Sequence, residues 1–195
     1  MANDEESREI ANFLFEVGNL KRIKRSGWWL AQIKDPESVA EHSHRCSIVA
    51  LIIAKMEGLN DEECTRICAA ASIHDLHETR ILDLNKVSAR YVEITDEKTF
   101  EVEKEQREKM PKEIKKLFEK LLQLSEKEKT ILKDADYLEC AIQAKEYLEN
   151  GHLDCLEWIE SVEKRLKTKS AKAILDSIKK TRSNKWFENL KKFRN

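Results

Sequence analysis

Glycine and proline are scarce in this chain, and this scarcity limits the folds it can form. The 195 residues include only 4 Gly and 2 Pro, while 41% of the residues are hydrophobic and 37% are charged. Sheets with many strands need frequent tight turns, which these two residues usually supply. Long helices with short connections need few of them, so the composition favours an all-α fold. The length suits one sizeable core, and we expect a single domain over residues 1–195.

Apolar spacing and capping residues divide the chain into amphipathic helices. Apolar residues recur at intervals of three and four, as on one helix face. For the second helix, either Pro36 in the first turn or a capping box at Ser38-x-x-Glu41 marks the start. The helices are expected at 4–24, from 36–38 to about 57, and at 61–77, 97–109, 112–123, 126–149, 152–166 and 171–193, with a less regular stretch at 79–96.

Charge and apolar runs exclude several classes of partner. The formal net charge is only −1, so no overall field attracts nucleic acid or an anionic membrane. The Lys- and Arg-rich segment 164–194 is expected to be a solvated helix face, with a polyanion-binding patch as the alternative. No apolar run approaches the roughly 18 residues of a membrane span, so we expect no membrane partner and a cytoplasmic location. Five cysteines without a CxxC pair are expected to be small packing residues in a reducing compartment.

A His-Asp pair carries the strongest chemical signal. His74-Asp75 lies in an apolar helical pattern, where a carboxylate is costly unless it meets a cation, a metal or several donors. The pair alone is explained as well by a structural partnership as by a site. Three features favour a site: His42 near the start of the second helix, Asp136 inside a later amphipathic helix, and Glu78 one helical turn after His74.

Two imidazoles and two carboxylates form a mixed nitrogen and oxygen ligand set. Such a set suits Mn, Co, Ni, Fe or Zn better than Ca, and thiolates are absent from it. Four protein ligands on a metal that accepts five or six leave positions for water and a phosphate oxygen. A structural zinc site is more often closed and rich in cysteine. The residues therefore predict one divalent transition metal, of uncertain identity, in an open site.

The order His…His-Asp…Asp resembles the HD-domain phosphohydrolase superfamily, and the flanking residues are similar to its 5′-deoxynucleotidase family. The resemblance covers about residues 10–150, a metal-site core, and leaves C-terminal helices at about 152–193. It implies an HD-type helical bundle, a homodimer, and hydrolysis of deoxyribonucleoside 5′-monophosphates to deoxyribonucleosides and phosphate. The matching blocks, in order, are Leu20-Lys21-Arg22 with Arg25-Ser26-Gly27-Trp28, Glu37-Ser38-Val39-Ala40-Glu41-His42, His74-Asp75 with Glu78 and Asp83, and Lys133-Asp134-Ala135-Asp136.

The resemblance also implies roles for the residues. The metal ligands are His42, His74, Asp75 and Asp136. Arg25 is expected to bind phosphate, because a guanidinium contacts two phosphate oxygens at once. Glu78 is expected to transfer a proton, and Asp83 to assist it or to bind the sugar. Trp28 is expected to lie against the nucleotide near the sugar, where its ring would exclude a 2′-hydroxyl.

Two positions depart from the family pattern. Leu82 stands where the family usually has a glycine before the acidic residue, so the loop carrying Asp83 could run differently. His77 stands where the family tends to have a small residue. A second metal held by His44 and His77 is an alternative, although the multi-histidine pattern of binuclear HD enzymes is absent. Trp29 is expected to be a core or dimer-interface residue.

Three other functions stay open. A pyrophosphohydrolase or triphosphohydrolase on the same scaffold would need a second basic cluster near the metal, beyond Arg25 and its neighbours Lys21, Arg22 and Lys24. A non-catalytic protein that binds nucleotide and metal would have lost its chemistry. A nucleic-acid-binding helical protein would use the basic C-terminal segment.

Overall fold

The fold is known from a computed structural model, which describes residues 4–191. Across that range it contains nine α-helices and no strand, apart from one isolated antiparallel bridge between Lys24 and Ser38. The all-α prediction is therefore confirmed. The helices are α1 (Asp4–Gly18), α2 (Val39–Met56), α3 (Asp61–Ile73), α4 (Glu78–Ile81), α5 (Asp96–Glu108), α6 (Lys112–Leu122), α7 (Glu126–Glu149), α8 (Leu156–Glu163) and α9 (Lys169–Lys180). Short 3₁₀ helices cover Asn19–Lys21, Ser26–Ala31, Ser88–Arg90, Leu153–Cys155 and Lys185–Lys191.

The start of α2 is set by the predicted capping box. The Ser38 hydroxyl accepts a hydrogen bond from the Glu41 backbone N–H at 3.2 Å, and the Glu41 carboxylate accepts one from the Ser38 N–H at 2.6 Å. Two N–H groups that the helix cannot satisfy are thus paired. Ser38, and not Pro36, is the residue that caps the helix, and His42 consequently lies one turn inside it.

The third helix ends earlier than predicted. It stops at Ile73, and the chain turns before α4 begins at Glu78. Here the Leu76 N–H donates to the Ile73 carbonyl oxygen, and the Glu78 N–H donates to the Asp75 carbonyl oxygen. Each acceptor is three residues before its donor. This spacing tightens the chain relative to an α-helix. The prediction that His74 and Glu78 share one helix face is wrong, because each belongs to a different element.

The chain ends also differ from prediction. The first helix stops at Gly18 rather than near residue 24, and the helix predicted at 152–166 is divided into a 3₁₀ turn and α8. The last helix ends at Lys180, because Thr181 takes extended backbone angles, and a 3₁₀ helix follows. The predicted end at residue 193 lies outside the described residues.

The core forms where α2 packs against α3 and α7, with α8 and α9 beside α7. Small residues such as Ala50 and Ala135 are completely buried between larger ones such as Ile53 and Leu138. This alternation lets the helix axes approach closely. Trp29, by contrast, is 53% exposed, so of its two expected roles the core position is wrong and the dimer-interface position stays a prediction.

Asp134, one of the residues in the matching blocks, is a structural residue. Its carboxylate is buried and accepts hydrogen bonds from the Lys167 N–H at 3.0 Å, the Thr168 N–H at 2.6 Å and the Thr168 hydroxyl at 2.7 Å. These bonds compensate for burying the charge. They fix α7 to the start of α9, beside the site residue Asp136.

All five cysteines are free thiols. Cys46, Cys64 and Cys155 are buried, and Cys68 and Cys140 are half-buried. Packing is the role expected of them, and their burial agrees with it. Throughout the described part of the chain, no helix combines the length and apolar character needed to cross a bilayer.

Leu82 keeps a glycine-like backbone. Its φ is +65° and its ψ is 165°, a combination that essentially only glycine adopts without strain. The loop into Asp83 therefore keeps a conformation that suits glycine, although a leucine stands there. On either side of this backbone, the Leu82 N–H donates to the Glu78 carbonyl oxygen at 3.0 Å and the Ser26 hydroxyl donates to the Asp83 carbonyl oxygen at 2.7 Å.

Replacing Leu82 with glycine is expected to stabilise the protein by about 1 kcal/mol. The glycine relieves backbone strain of about 1–3 kcal/mol in the folded state. It also gives the unfolded chain more conformational freedom, which lowers the free energy of unfolding by about 0.4–1 kcal/mol. The side chain is 56% exposed, so little burial is lost. Denaturant unfolding would measure the change. Leu153→Gly, at a 75% exposed leucine in a 3₁₀ turn, is the control and should lower stability. An equal loss of stability in Leu82→Gly and Leu153→Gly would contradict the strain argument.

Candidate active site

Three parts of the fold bring the four predicted metal ligands together. His42 comes from α2, Asp136 from α7, and His74 and Asp75 from the turn after α3. His42 Nε2 lies 3.6 Å from Asp75 Oδ2 and 3.4 Å from Asp136 Oδ1. His74 Nε2 lies 3.2 Å from Asp75 Oδ2. The structure therefore places these four side chains around one point.

Several atoms at this point are buried and have no hydrogen-bond partner among residues 4–191. They are His42 Nε2, His74 Nε2 and Asp75 Oδ2. A buried polar atom without a partner costs roughly 1–3 kcal/mol, so such atoms are rarely left unsatisfied. Nitrogen and carboxylate ligands in this number suit a divalent transition metal. The residues present therefore fit the metal that the sequence predicts.

Hydrogen bonds on the far side of each imidazole fix its orientation. His42 Nδ1 contacts the carboxylate of Glu139, a completely buried residue on α7. His74 Nδ1 lies 2.7 Å from the Ala71 carbonyl oxygen. If Nδ1 is the donor in both rings, both Nε2 atoms offer a lone pair to the site. Arg45 holds Glu139 in turn, through Nε to Oε1 at 2.9 Å.

Sequence reasoning missed Glu139 and Arg45. A signal was available, since Arg45 follows His42 by three residues and Glu139 follows Asp136 by three residues. Each therefore lies on the same helix face as a ligand. To predict their pairing, one must also know that α2 and α7 lie side by side, and the sequence does not show this.

Electrostatics at the site reflect many carboxylates in a small buried volume. Burial lowers the pKa of the His42 ring, but contacts with Asp136 and Glu139 outweigh burial and raise it to about 10. Burial raises the pKa of Glu78 to about 9, and the charge of Asp75 adds to this effect. Burial also acts to raise the pKa of Asp136, yet the contact with His42 holds it well below its usual range. The cluster thus favours bound positive charge.

Arg25 and Asp83 lie beside the ligand cluster. Arg25 Nη1 is 3.8 Å from Asp75 Oδ2, and Arg25 Nε is 3.5 Å from Asp83 Oδ2. The Ser26 hydroxyl donates to the Asp83 carbonyl oxygen at 2.7 Å and accepts from the Asn85 N–H at 3.0 Å. Ser26 thus holds the loop that follows Leu82. Asp83, which had the least secure place in the sequence pattern, lies at the site.

Glu78 begins α4 and is also brought to the cluster. It is 9% exposed, and its Oε2 is buried without a hydrogen-bond partner. Ligand-type atoms of Asp75, His77 and Glu78 all lie within 4.8 Å of one another. His44, in contrast, is exposed and lines a separate groove on the outer side of α2. The structure does not bring His44 and His77 together, so the proposed pairing of these two residues around a second metal is wrong.

A cavity of about 360 Å³ opens beside Arg25, Asp83 and Asp136. Trp28 lines it, but the residue is only 2% exposed and its Nε1 donates to Glu37 at 2.9 Å. The Trp28 ring is therefore fixed in the core and offers the cavity only a small part of its surface. Drug-sized ligands occupy pockets of roughly 300–1,000 Å³, so a nucleotide-sized molecule fits this range.

Comparisons with known proteins agree with this geometry. A family model described as an HD domain matches residues 17–179. The 5′-deoxynucleotidase of Danio rerio is 34% identical over 153 residues, which is 72% of this chain and 70% of that protein. A conserved hypothetical protein from Pyrococcus furiosus has 30% identity and a TM-score of 0.67, over 88% of this chain and 99% of that one.

A more distant structure shows the same fold. The HD phosphohydrolase of cyanophage S-2L, solved with dA and one catalytic Zn²⁺ ion, is 19% identical with a TM-score of 0.55. The alignment covers 86% of this chain and 96% of that one. At this identity the likeness concerns the fold alone.

A helical bundle that gathers two histidines and two aspartates from three places in the chain defines the HD-domain class of proteins. The match to the HD-domain model covers most of the chain, and the similarity to the Danio rerio enzyme extends over two thirds of both proteins. The chain therefore belongs to the HD-domain family and, within it, to the 5′-deoxynucleotidases.

Replacing Glu139 with glutamine is expected to weaken metal binding about 10- to 100-fold, the usual effect of losing a residue that orients a metal ligand. An amide can direct its N–H₂ group at His42 Nδ1, so that Nδ1 accepts, the ring proton lies on Nε2, and Nε2 no longer offers a lone pair to the metal. Isothermal titration with Mn²⁺ would measure the affinity. Glu146→Gln is the control, because Glu146 is a more exposed partner of the same Arg45. Unchanged affinity in the Glu139 variant would contradict the orienting role.

Proposed function

We propose that this protein is a metal-dependent 5′-deoxynucleotidase that converts deoxyribonucleoside 5′-monophosphates to deoxyribonucleosides and phosphate. One observation carries the proposal: buried ligand atoms of His42, His74 and Asp75 have no hydrogen-bond partner within residues 4–191, and the fourth ligand, Asp136, lines a nucleotide-sized cavity together with Arg25. Family membership supports the choice of reaction. The name of the Danio rerio relative gives the same activity for that protein.

We assign one divalent metal to His42, His74, Asp75 and Asp136. When bound, it supplies a Lewis acid that offsets phosphate charge and lowers the pKa of water at neutral pH. Neighbouring residues of the chain hold the metal ligands in position. Glu139 and the Ala71 carbonyl orient the two imidazoles, and Lys133 Nζ holds Asp136 Oδ2 at 2.8 Å.

Arg25 is assigned to the phosphate. Its guanidinium contacts with Asp75 and Asp83 are long, 3.8 and 3.5 Å, and its side chain is 20% exposed. An incoming phosphate can therefore take its donors without breaking short hydrogen bonds. Charge developing on the phosphate oxygens during hydrolysis would be stabilised by this fixed cation.

Glu78 is assigned to proton transfer, and Asp83 to assist it or to bind the sugar. Glu78 Oε2 is buried and has no partner in residues 4–191, so it is available to hold a proton for the departing 5′-oxygen or to orient the attacking water. Trp28 is assigned to the wall near the sugar. Its ring is fixed by Glu37, which suits a residue that excludes a 2′-hydroxyl by its bulk.

The test is phosphate release from a nucleotide panel after chelation and stepwise return of Mn, Co, Ni, Fe and Zn. We expect turnover of deoxyribonucleoside monophosphates, weak turnover of ribonucleotides, and none after chelation. Preference for dATP over dAMP would instead support the triphosphohydrolase alternative. Tight nucleotide binding without turnover would support a non-catalytic protein.

We also propose a homodimer. Large apolar side chains remain exposed along one face of α2, and clustered exposed apolar residues often mark an interface. Light scattering after gel filtration would measure the mass; a monomer at micromolar concentration would contradict the proposal. The exposed apolar residues on α2 are Ile48, Leu51, Ile52 and Met56.

A single domain and a cytoplasmic location complete the proposal. The single domain is supported by a core whose members run from Trp28 to Leu175. The location is supported by five free thiols, which persist in reducing compartments. Cooperative unfolding in one transition, seen by two spectroscopic probes, would test the first point, and imaging of the tagged protein would test the second.

A further inference from the structure

Helix α8 contributes a polar stripe to the cavity. Glu157, Ser161 and Arg165 follow one another at intervals of four residues, beginning in α8 and continuing just past its end, and all three line the cavity. The site residues that line it, Arg25, Asp83 and Asp136, belong to other parts of the chain. The α8 stripe is thus a second polar region of the same cavity.

Glu157 and Arg165 are exposed and Ser161 is half-buried, and within residues 4–191 none of the three side chains has a hydrogen-bond or ion-pair partner. The Arg165 guanidinium carbon, Cζ, lies 5.5 Å from the centre of the Tyr137 ring. Tyr137 also lines the cavity and directly follows Asp136 in α7. A few polar groups without protein partners, set in a largely apolar cavity, are typical of groups that orient a ligand.

Aromatic rings form the apolar part of this region. Trp158 on α8 lines the cavity, and its ring lies 5.6 Å from that of Trp28, with an angle of 31° between the planes. Tyr137 adds a ring whose centre lies 4.8 Å from Lys133 Nζ and 5.5 Å from Arg165 Cζ. Flat apolar surfaces with hydrogen-bonding groups beside them match a planar heterocycle better than a second phosphate.

We propose that the α8 stripe, Glu157, Ser161 and Arg165, is the binding site for the nucleobase of the substrate. This inference rests on the proposed function, since it places the base of the same nucleotide whose phosphate lies at Arg25. The base packs against Tyr137 and Trp158, and its polar edge faces the stripe. Because the stripe offers an acceptor, a donor and a hydroxyl, it can satisfy the edges of all four bases. It therefore separates nucleotides from sugar phosphates, rather than one base from another.

The experiment compares dAMP and dTMP with 2-deoxyribose 5-phosphate, which has the same reacting group and no base. In Arg165→Ala we expect KM for both nucleotides to rise about tenfold, the usual scale for losing a charged hydrogen bond, with kcat little changed. Kinetics on deoxyribose 5-phosphate should stay within twofold of wild type. Lys164→Ala, an exposed neighbour outside the cavity, is the matched control and should match wild type on all three substrates.

A second variant blocks the cavity instead of removing a contact. Ser161→Trp should reduce kcat/KM for the nucleotides more than Arg165→Ala does, while sparing deoxyribose 5-phosphate; circular dichroism would confirm folding. Equal effects of Arg165→Ala on substrates with and without a base would overturn the inference. So would wild-type nucleotide kinetics in Ser161→Trp.

Binding of deoxyadenosine, measured by calorimetry, separates this inference from the proposed function. If wild type releases no phosphate from any nucleotide, the proposed function fails. Deoxyadenosine binding that is weakened by Arg165→Ala and not by Lys164→Ala would still support the base site. Equal deoxyadenosine affinity in wild type and Arg165→Ala would overturn it.

Discussion

Replacing His74 with alanine is expected to abolish metal binding and phosphate release together. Its Nε2 is a buried atom without a hydrogen-bond partner, 3.2 Å from Asp75 Oδ2, so its loss opens the ligand set at one corner. The His74 side chain is 16% exposed and does not belong to the hydrophobic core, so the variant should still fold. Elemental analysis of the purified variant and a phosphate-release assay measure both effects, and each should fall to background.

The matched control is His44→Ala, which removes an exposed imidazole on the outer side of α2. It should keep the wild-type metal content and rate. A His74 variant that carries a full complement of metal and retains activity would contradict the assignment of this residue. Loss of activity with metal fully retained would contradict it in part, because His74 would then act on the substrate.

Replacing Glu78 with glutamine should lower kcat by about 10²- to 10⁴-fold while metal content stays at the wild-type level. Glutamine keeps the size of the side chain but cannot transfer a proton through a carboxyl oxygen. Steady-state kinetics on dAMP, with metal analysis of the same sample, separate the two quantities. The expected change is in kcat rather than in KM, because Glu78 is assigned to the chemical step.

Glu101→Gln, at an exposed position on α5 that pairs with Lys98, controls for the loss of an acidic group and should behave as wild type. Full activity in the Glu78 variant would show that another group transfers the proton, and Asp83 would be the next residue to test. Loss of metal together with rate would instead make Glu78 a ligand, in keeping with its short distance from Asp75 and His77.

Local sequence signals predicted the helices best where a cap and a breaker enclosed them. α2 begins at Ser38 because its hydroxyl and the Glu41 carboxylate satisfy backbone groups only a few residues away. α7 (Glu126–Glu149) has the bounds that were predicted, and the structure shows that a capping box of Ser125 and Glu128 begins it. Such interactions depend on neighbouring residues alone, so they can be deduced from the sequence.

The prediction failed where distant contacts shape the backbone. The pattern 61–77 looked like one helix, but the chain turns after Ile73. This turn lets His74 and Asp75 face α2 and α7 while Glu78 approaches from a new helix. Periodicity cannot reveal such a break, because the apolar spacing continues through it.

The sequence alone determined the all-α class, most helix boundaries and the identity of the residues that gather at the site, because these depend on local hydrogen bonding, on apolar spacing and on a motif. Only the tertiary structure decided which atoms face one another. It paired Glu139 with His42, kept a glycine-like backbone at Leu82, buried Trp28 and placed the polar stripe of α8 on the cavity. Each of these results comes from packing between helices that are far apart in the chain. The distances between such helices cannot be deduced from local sequence patterns.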